Sequence, residues 1–201
     1  MAKDDLPEES MIREDLEEAT KAAKRAKDLI QQILTFSRQQ EGARHPILIS
    51  PLVKEALKMI QAFLPATIEI KQNLDCQSST ILADPSQIHQ IVLNLCTNSG
   101  YAMRSTGGVL ELSLTEVIVD AEFASTHAIV EGDYLKLSVS DTGHGIKEED
   151  RERIFDPFFT TKPVGEGTGM GLAVVHGIVQ NHQGAITVSS SEGKGTAFDI
   201  Y

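Results

Sequence analysis

The chain opens on a periodic run of apolar and small residues: Ile12, Leu16, Ala19, Ala23, Ala26, Ile30, Ile33 and Ser37. The steps between them are 4, 3, 4, 3, 4, 3 and 4, which is a heptad seam. Between these positions stand "REDLEE", "KAAKR" and "QQ", good helix formers of mixed charge. The pattern predicts a long helix that packs in a coiled coil or bundle rather than folding back on its own domain. Leu29, Leu34 and Phe36 widen the stripe near its end, so more than one neighbour is expected there. "EGARHPILISP" then breaks the helix with Gly42, Pro46 and Pro51.

Beyond that break, helical and alternating patterns interleave. Residues 52–63 read as helix, 67–74 as strand, 85–104 as a long helix and 108–119 as strand. "YLKLSVSD", residues 134–141, alternates with Leu135, Leu137 and Val139 facing inward, as in a half-buried strand. A helix over about 169–182 and two strands, "AITVSSS" and "GTAFDIY", complete the chain. Strands outnumber the single helices between them. That predicts an α+β domain, a mixed sheet under a helical layer, rather than a doubly wound fold. The expected division is a helical segment over 1–44 and the mixed domain over 45–201.

Composition changes this picture little. With 41% hydrophobic and 23% charged residues in 201, the chain is ordinary globular material. A formal charge of −11 argues against nucleic acid or an anionic membrane as main partner. Much of the acidity lies before residue 19, so an anionic nucleotide remains possible through backbone N–H groups, a divalent cation and local cations. The start, "MAKDDLPEES", has no apolar core and reads as no signal peptide, and no run approaches membrane-spanning length. Cys76 and Cys96 have neither metal-ligand nor redox spacing, so a cytoplasmic setting is the economical inference.

Candidate chemistry begins with "FFTTKPVGEGTGMGL", where Gly165, Gly167, Gly169 and Gly171 alternate ahead of a helix. No P-loop occurs, and Met170 stands where a dinucleotide fingerprint needs its third glycine. Earlier, "QIHQIVLNLCTNSGYAM" puts Asn94 and Asn98 at i and i+4, on one helix face. Asparagines buried in so apolar a helix need a partner, and an amide oxygen suits Mg²⁺ completed by phosphates and water; a structural cap is the alternative. "SVSDTGHGI" ends a strand with Asp141 and turns through Gly143 and Gly145. A carboxylate there can accept from the exocyclic amine of adenine and would repel the carbonyl of guanine. A plain Asx-turn is the alternative.

Taken in order, Asn98 in an N box, "DTGHGI" as a G1 box, "RIFDPFFTTK" as an F box and "GEGTGMGL" as a G2 box resemble the catalytic ATP-binding domain of sensor histidine kinases. The resemblance covers about residues 46–201. It implies the Bergerat fold, a two-layer α/β sandwich with ATP between the helical layer and a flexible lid over about 155–168. It also implies Mg²⁺ on Asn98, with Asn94 assisting near the phosphates. Asp141 would read adenine beside Thr196, with Gly143, Gly145 and Ile146 shaping the pocket and Ala102 and Ile154 lining it. Gly167 and Thr168, at the end of the lid, would also contact ATP, and Gly169, Met170, Gly171 and Leu172 would open a helix towards the phosphates.

Thr160 stands where many relatives carry an arginine, leaving Lys162 as the candidate γ-phosphate cation or as a solvated lysine. Gyrase-type ATPases share the fold but carry a glutamate, their general base, where this chain has Asn94. Transfer to a protein group is therefore expected over hydrolysis; a nucleotide-sensing module without transfer is the other alternative.

The N-terminal helix resembles the second helix of the kinases' dimerisation and phosphotransfer bundle, which implies a homodimer. The first helix, bearing the H box, is expected outside this chain, as is whatever continues the last strand beyond Tyr201. His45, His89, His127, His144, His176 and His182 are followed by Pro, Gln, Ala, Gly, Gly and Gln, not by the acidic residue usual beside the phosphoacceptor. The implied partners are that acceptor helix and the receiver domain of a response regulator.

Overall fold

The computed structural model describes residues 44–74, 76, 79–163 and 166–201. The seam from Ile12 to Ser37 lies outside the described residues. The chain divides into two units, Gly42–Thr160 with Gly169–Tyr201 being one; Thr161–Thr168 belongs to the other. The first unit carries the sheets and their helices.

Strands β1 (His45–Leu48), β2 (Ile68–Asn73), β3 (Thr80–Ala83), β4 (Gly108–Val119), β5 (Gly132–Asp141), β6 (Ile186–Ser191) and β7 (Gly195–Ile200) alternate irregularly with helices. These are α1 (Ile49–Gln61), α2 (Pro85–Ala102), α3 (Ala121–His127) and α4 (Gly171–Asn181). The main sheet runs β2-β4-β5-β7-β6, with β2 and β4 parallel and the other pairs antiparallel. β1 and β3 form a separate antiparallel ladder. The mixed sheet beside helices is the α+β arrangement the pattern predicted.

Register decides what the inner face carries. Leu114, Leu137, Ile200 and Ile186 form one row across β4, β5, β7 and β6, and Leu112, Val139, Phe198 and Val188 form the next. Against these rows pack Val53 and Leu57 of α1, Val92 and Leu95 of α2, and Val175 and Ile178 of α4. Cys96 belongs to this core, and burial pushes its thiol up to about 12, so it packs as a neutral group. The opposite face carries Glu111, Thr115, Lys136, Ser138 and Asp199, none of them buried. One wet face and one apolar face is what the alternation dictates.

Two kinds of element escaped the sequence pattern. β1 and β3 are four residues each, too short to show a period. α3 is seven residues, started by Asp120, whose side chain accepts from the Phe123 N–H.

Candidate nucleotide site

The third inward row turns polar. Leu110 of β4 is followed across the sheet by Asp141, Thr196 and Ser190. Asp141 and Thr196 are buried, at 8% and 7% exposure, a costly place for a carboxylate unless it is hydrogen-bonded. Two donors meet it: Ser99 Oγ donates to Oδ2 at 2.8 Å and the Gly143 N–H to Oδ1 at 2.9 Å. The second bond is the Asx-turn that D-x-G suggested. A carboxylate has about four acceptor positions, so lone pairs remain for a ligand amine.

The loop after Asp141 is shaped by close approach. A Cβ on Gly143 would lie 2.6 Å from Ala102 Cβ, so only glycine lets the loop pass the end of α2. Gly145 has φ +72°, and a Cβ there would lie 2.1 Å from the Ser191 carbonyl oxygen. The next residue is pinned: the Ile146 N–H donates to Ser190 Oγ at 2.8 Å, and Ser190 Oγ in turn donates to the Gly195 carbonyl at 2.9 Å. Ser190 Oγ also stands 3.0 Å from Thr196 Oγ1, and Arg151 donates to the Ser190 carbonyl. Ala102, Gly143, Gly145, Ile146, Thr196 and Asp141 are thus gathered at one end of the sheet.

The N-box residues lie elsewhere on α2. Asp84 caps this helix by accepting from the Ser86 N–H at 2.8 Å, with Pro85 at its first position. Asn94 and Asn98 are half-buried, not buried, because their face is turned to the start of α4 rather than to the sheet. A Cβ on Gly171 would come within 3.3 Å of Asn94 Oδ1 and 3.9 Å of Asn98 Nδ2. α4 begins after Met170 with no side-chain cap and no acidic residue in its first turn. Its leading N–H groups and positive dipole end therefore lie beside the two amides, an arrangement suited to an anion.

The expected lid narrows. Residues 155–160 belong to the main unit, because Phe155 and Phe159 pack on the core beside buried Ile154. Phe155 lies against His176 at 5.2 Å between ring centroids, and the Arg153 guanidinium sits 4.5 Å over the Phe159 ring. Phe158, at φ 69°, donates its N–H to the Gly169 carbonyl at 3.0 Å and ties the two ends of the intervening segment together. Lys162, Gly167 and Thr168 fall in the unit Thr161–Thr168, Met170 is buried and Leu172 packs on the core.

Ser99 and Ser190 were not picked out by the sequence pattern. For Ser99 there was a signal: Ile88, Val92, Leu95 and Ser99 follow one buried helical stripe, and a hydroxyl in that stripe needs a partner.

Residues 83–201 match the family described as histidine kinase-, DNA gyrase B-, and HSP90-like ATPase. The chain belongs to this family. ATP binding comes with that membership. The sensor kinase CckA of Brucella abortus (strain 2308) is 37% identical over 181 residues, 89% of this chain and 19% of that protein. The sensor histidine kinase ZraS of Escherichia coli (strain K12) is 32% identical over 182 residues, 90% of this chain and 36% of its own length. The chain therefore spans about a fifth of one relative and about a third of the other. The solved catalytic domain of histidine kinase ThkA superposes with a TM-score of 0.59 at 25% identity, over 78% of this chain and 93% of that one. The helix-packed mixed sheet is thus the fold of a histidine kinase catalytic domain. Among the described residues no helix is long and apolar enough to cross a membrane.

Proposed function

We propose that this chain is the kinase core of a two-component sensor histidine kinase. It binds Mg²⁺-ATP and passes the γ-phosphoryl group to a histidine on an H-box helix, for relay to a response-regulator aspartate. Asp141 and Thr196 take the adenine end. Asn94, Asn98 and the first turn of α4 take the phosphates, with Lys162 as the candidate γ-phosphate cation and Gly167 and Thr168 as further ATP-binding residues.

The donor set fits magnesium. Asn98 supplies a hard amide oxygen, and among the described residues no three His, Cys, Asp or Glu converge to cage a metal. Mg²⁺ commonly takes one or two protein ligands and completes its shell with phosphates and water. When bound, it would neutralise charge on the phosphates.

The observation that carries transfer over hydrolysis is Asn94, an amide on α2 that faces the start of α4 and stands at the position where a gyrase-type ATPase holds its general base. An amide takes no proton from water. In the transfer, an imidazole nitrogen forms a bond to the γ-phosphorus as the bond to the bridging oxygen breaks. The electron pair leaves with ADP, and the imidazole proton passes to an acidic neighbour of the histidine. This chain's part is positioning and charge stabilisation.

Incubation with γ-labelled ATP tests the reading. The chain alone is expected to bind ATP without forming acid-labile phosphohistidine, because none of its six histidines has the acidic neighbour. Label should appear on an H-box helix supplied in cis or in trans. Steady release of inorganic phosphate with no labelled helix would instead make the chain an ATPase.

A further inference from the structure

We propose that Ser99 is a specificity-determining residue of the nucleotide site: its donated hydroxyl fixes the orientation of the acceptor-only Asp141 carboxylate and leaves no free hydroxyl proton beside it. The inference rests on the reading of Asp141 as the adenine contact. Ser99 is 2% exposed and donates to Asp141 Oδ2 at 2.8 Å. A hydroxyl has one proton, and this one is committed to the carboxylate. The Gly143 N–H, the other donor at this carboxylate, is likewise committed, to Oδ1 at 2.9 Å.

The same proton counting applies one strand over. Ser190 Oγ donates to the Gly195 carbonyl and accepts from the Ile146 N–H. Its remaining lone pair, 3.0 Å from Thr196 Oγ1, takes the threonine proton. Thr196 is then also left with lone pairs only.

A purine edge with an amino group meets acceptors that it can satisfy. A purine with a carbonyl at that position meets oxygen against oxygen, and the two hydroxyls that could have served it have spent their protons inward. Ser99 has a second effect: with both carboxylate oxygens held, the plane of Asp141 is fixed. Without Ser99, the side chain is held through one oxygen and can turn about χ2. A site built to hydrogen-bond one group discriminates strongly against an analogue lacking it, because its buried polar atoms are left unpaired.

Calorimetry on the chain with adenosine diphosphate, inosine diphosphate and tripolyphosphate, each with Mg²⁺, is the test. The first two ligands differ at the purine 6-position edge, and the third has no base. Wild type is expected to prefer adenosine diphosphate. Ser99→Ala should weaken adenosine diphosphate about tenfold, because a carboxylate free to turn must be ordered on binding, change inosine diphosphate little so that the preference narrows, and leave tripolyphosphate unchanged. Ser99→Cys, a weaker donor of similar shape, should fall between.

If Asp141→Asn weakens adenosine diphosphate and Ser99→Ala does not, the role given to Ser99 is wrong and the adenine reading stands. If Asp141→Asn leaves that affinity unchanged, the adenine reading itself fails and takes the inference with it. Equal loss of all three ligands in Ser99→Ala would make the residue merely a support of the fold and would overturn the proposal. So would a wild type that binds both nucleotides alike.

Discussion

At the scale of single residues, the proposed site has a base-reading end at Asp141 and a phosphate end at Asn94 and Asn98, and the two assignments can be tested independently. Asn98 faces the start of α4. Asn98→Ala should therefore reduce ATP affinity about tenfold with Mg²⁺ present and change it little in a metal chelator. A variant that titrates like wild type in both buffers would remove Asn98 from the metal's shell. Legibility follows the same division. Asp141 and Gly143 could be read because the hydrogen bond between them spans two residues, so its signal is local. Ser99 finds its partner 42 residues away and Ser190 binds Ile146 from 44 away, and no window of sequence contains both members.

At the scale of elements, two glycines make opposite predictions. Gly145 holds φ +72° in the loop after β5, with the Ser191 carbonyl where a side chain would go. Gly145→Ala should cost roughly 1–3 kcal/mol, or more if the backbone cannot shift. Gly177 lies inside α4 with nothing near a Cβ added to it, so Gly177→Ala should stabilise by about 0.5–1 kcal/mol. Urea midpoints at constant m-value measure both; equal midpoints would mean that neither backbone constraint is real. Long elements were legible for the reason these glycines matter, that period and punctuation act locally. β4 spans Gly108–Val119, the residues its alternation picks out, and the helix expected over 85–104 runs Pro85–Ala102. β1 and β3 were not legible because each exists through pairing with the other across α1 and β2.

At the scale of the whole molecule, the seam from Ile12 to Ser37 remains a proposal, since it lies outside the described residues. An apolar stripe of that length on a helix seeks a partner, and a second copy of this chain supplies one. We expect a dimer through residues 1–44, with the kinase domain over 45–201 carried on it. Light scattering should give twice the monomer mass at high micromolar concentration, and a polar replacement at Ile30 and Ile33 should halve it. A monomeric wild type with its helix intact by circular dichroism would count against the seam.

The polar row of the sheet has a further consequence, for the order of folding. Asp141 and Thr196 become neighbours when β5 pairs with β7, which requires the whole of segment 142–195 to be looped between them. Ser99 joins from α2, itself part of the crossover that sets β2 parallel to β4. Contacts so distant in sequence carry a large loop-closure cost and form late. The proposed purine site, assembled from them, would not exist in a partly folded chain, so nucleotide would act on the native state alone. Its binding adds about 2.7 kcal/mol at a hundredfold excess over Kd, and that gain falls on the rate of unfolding, leaving the rate of folding unchanged. For this domain, bound nucleotide would be a brake on unfolding as well as a source of phosphate.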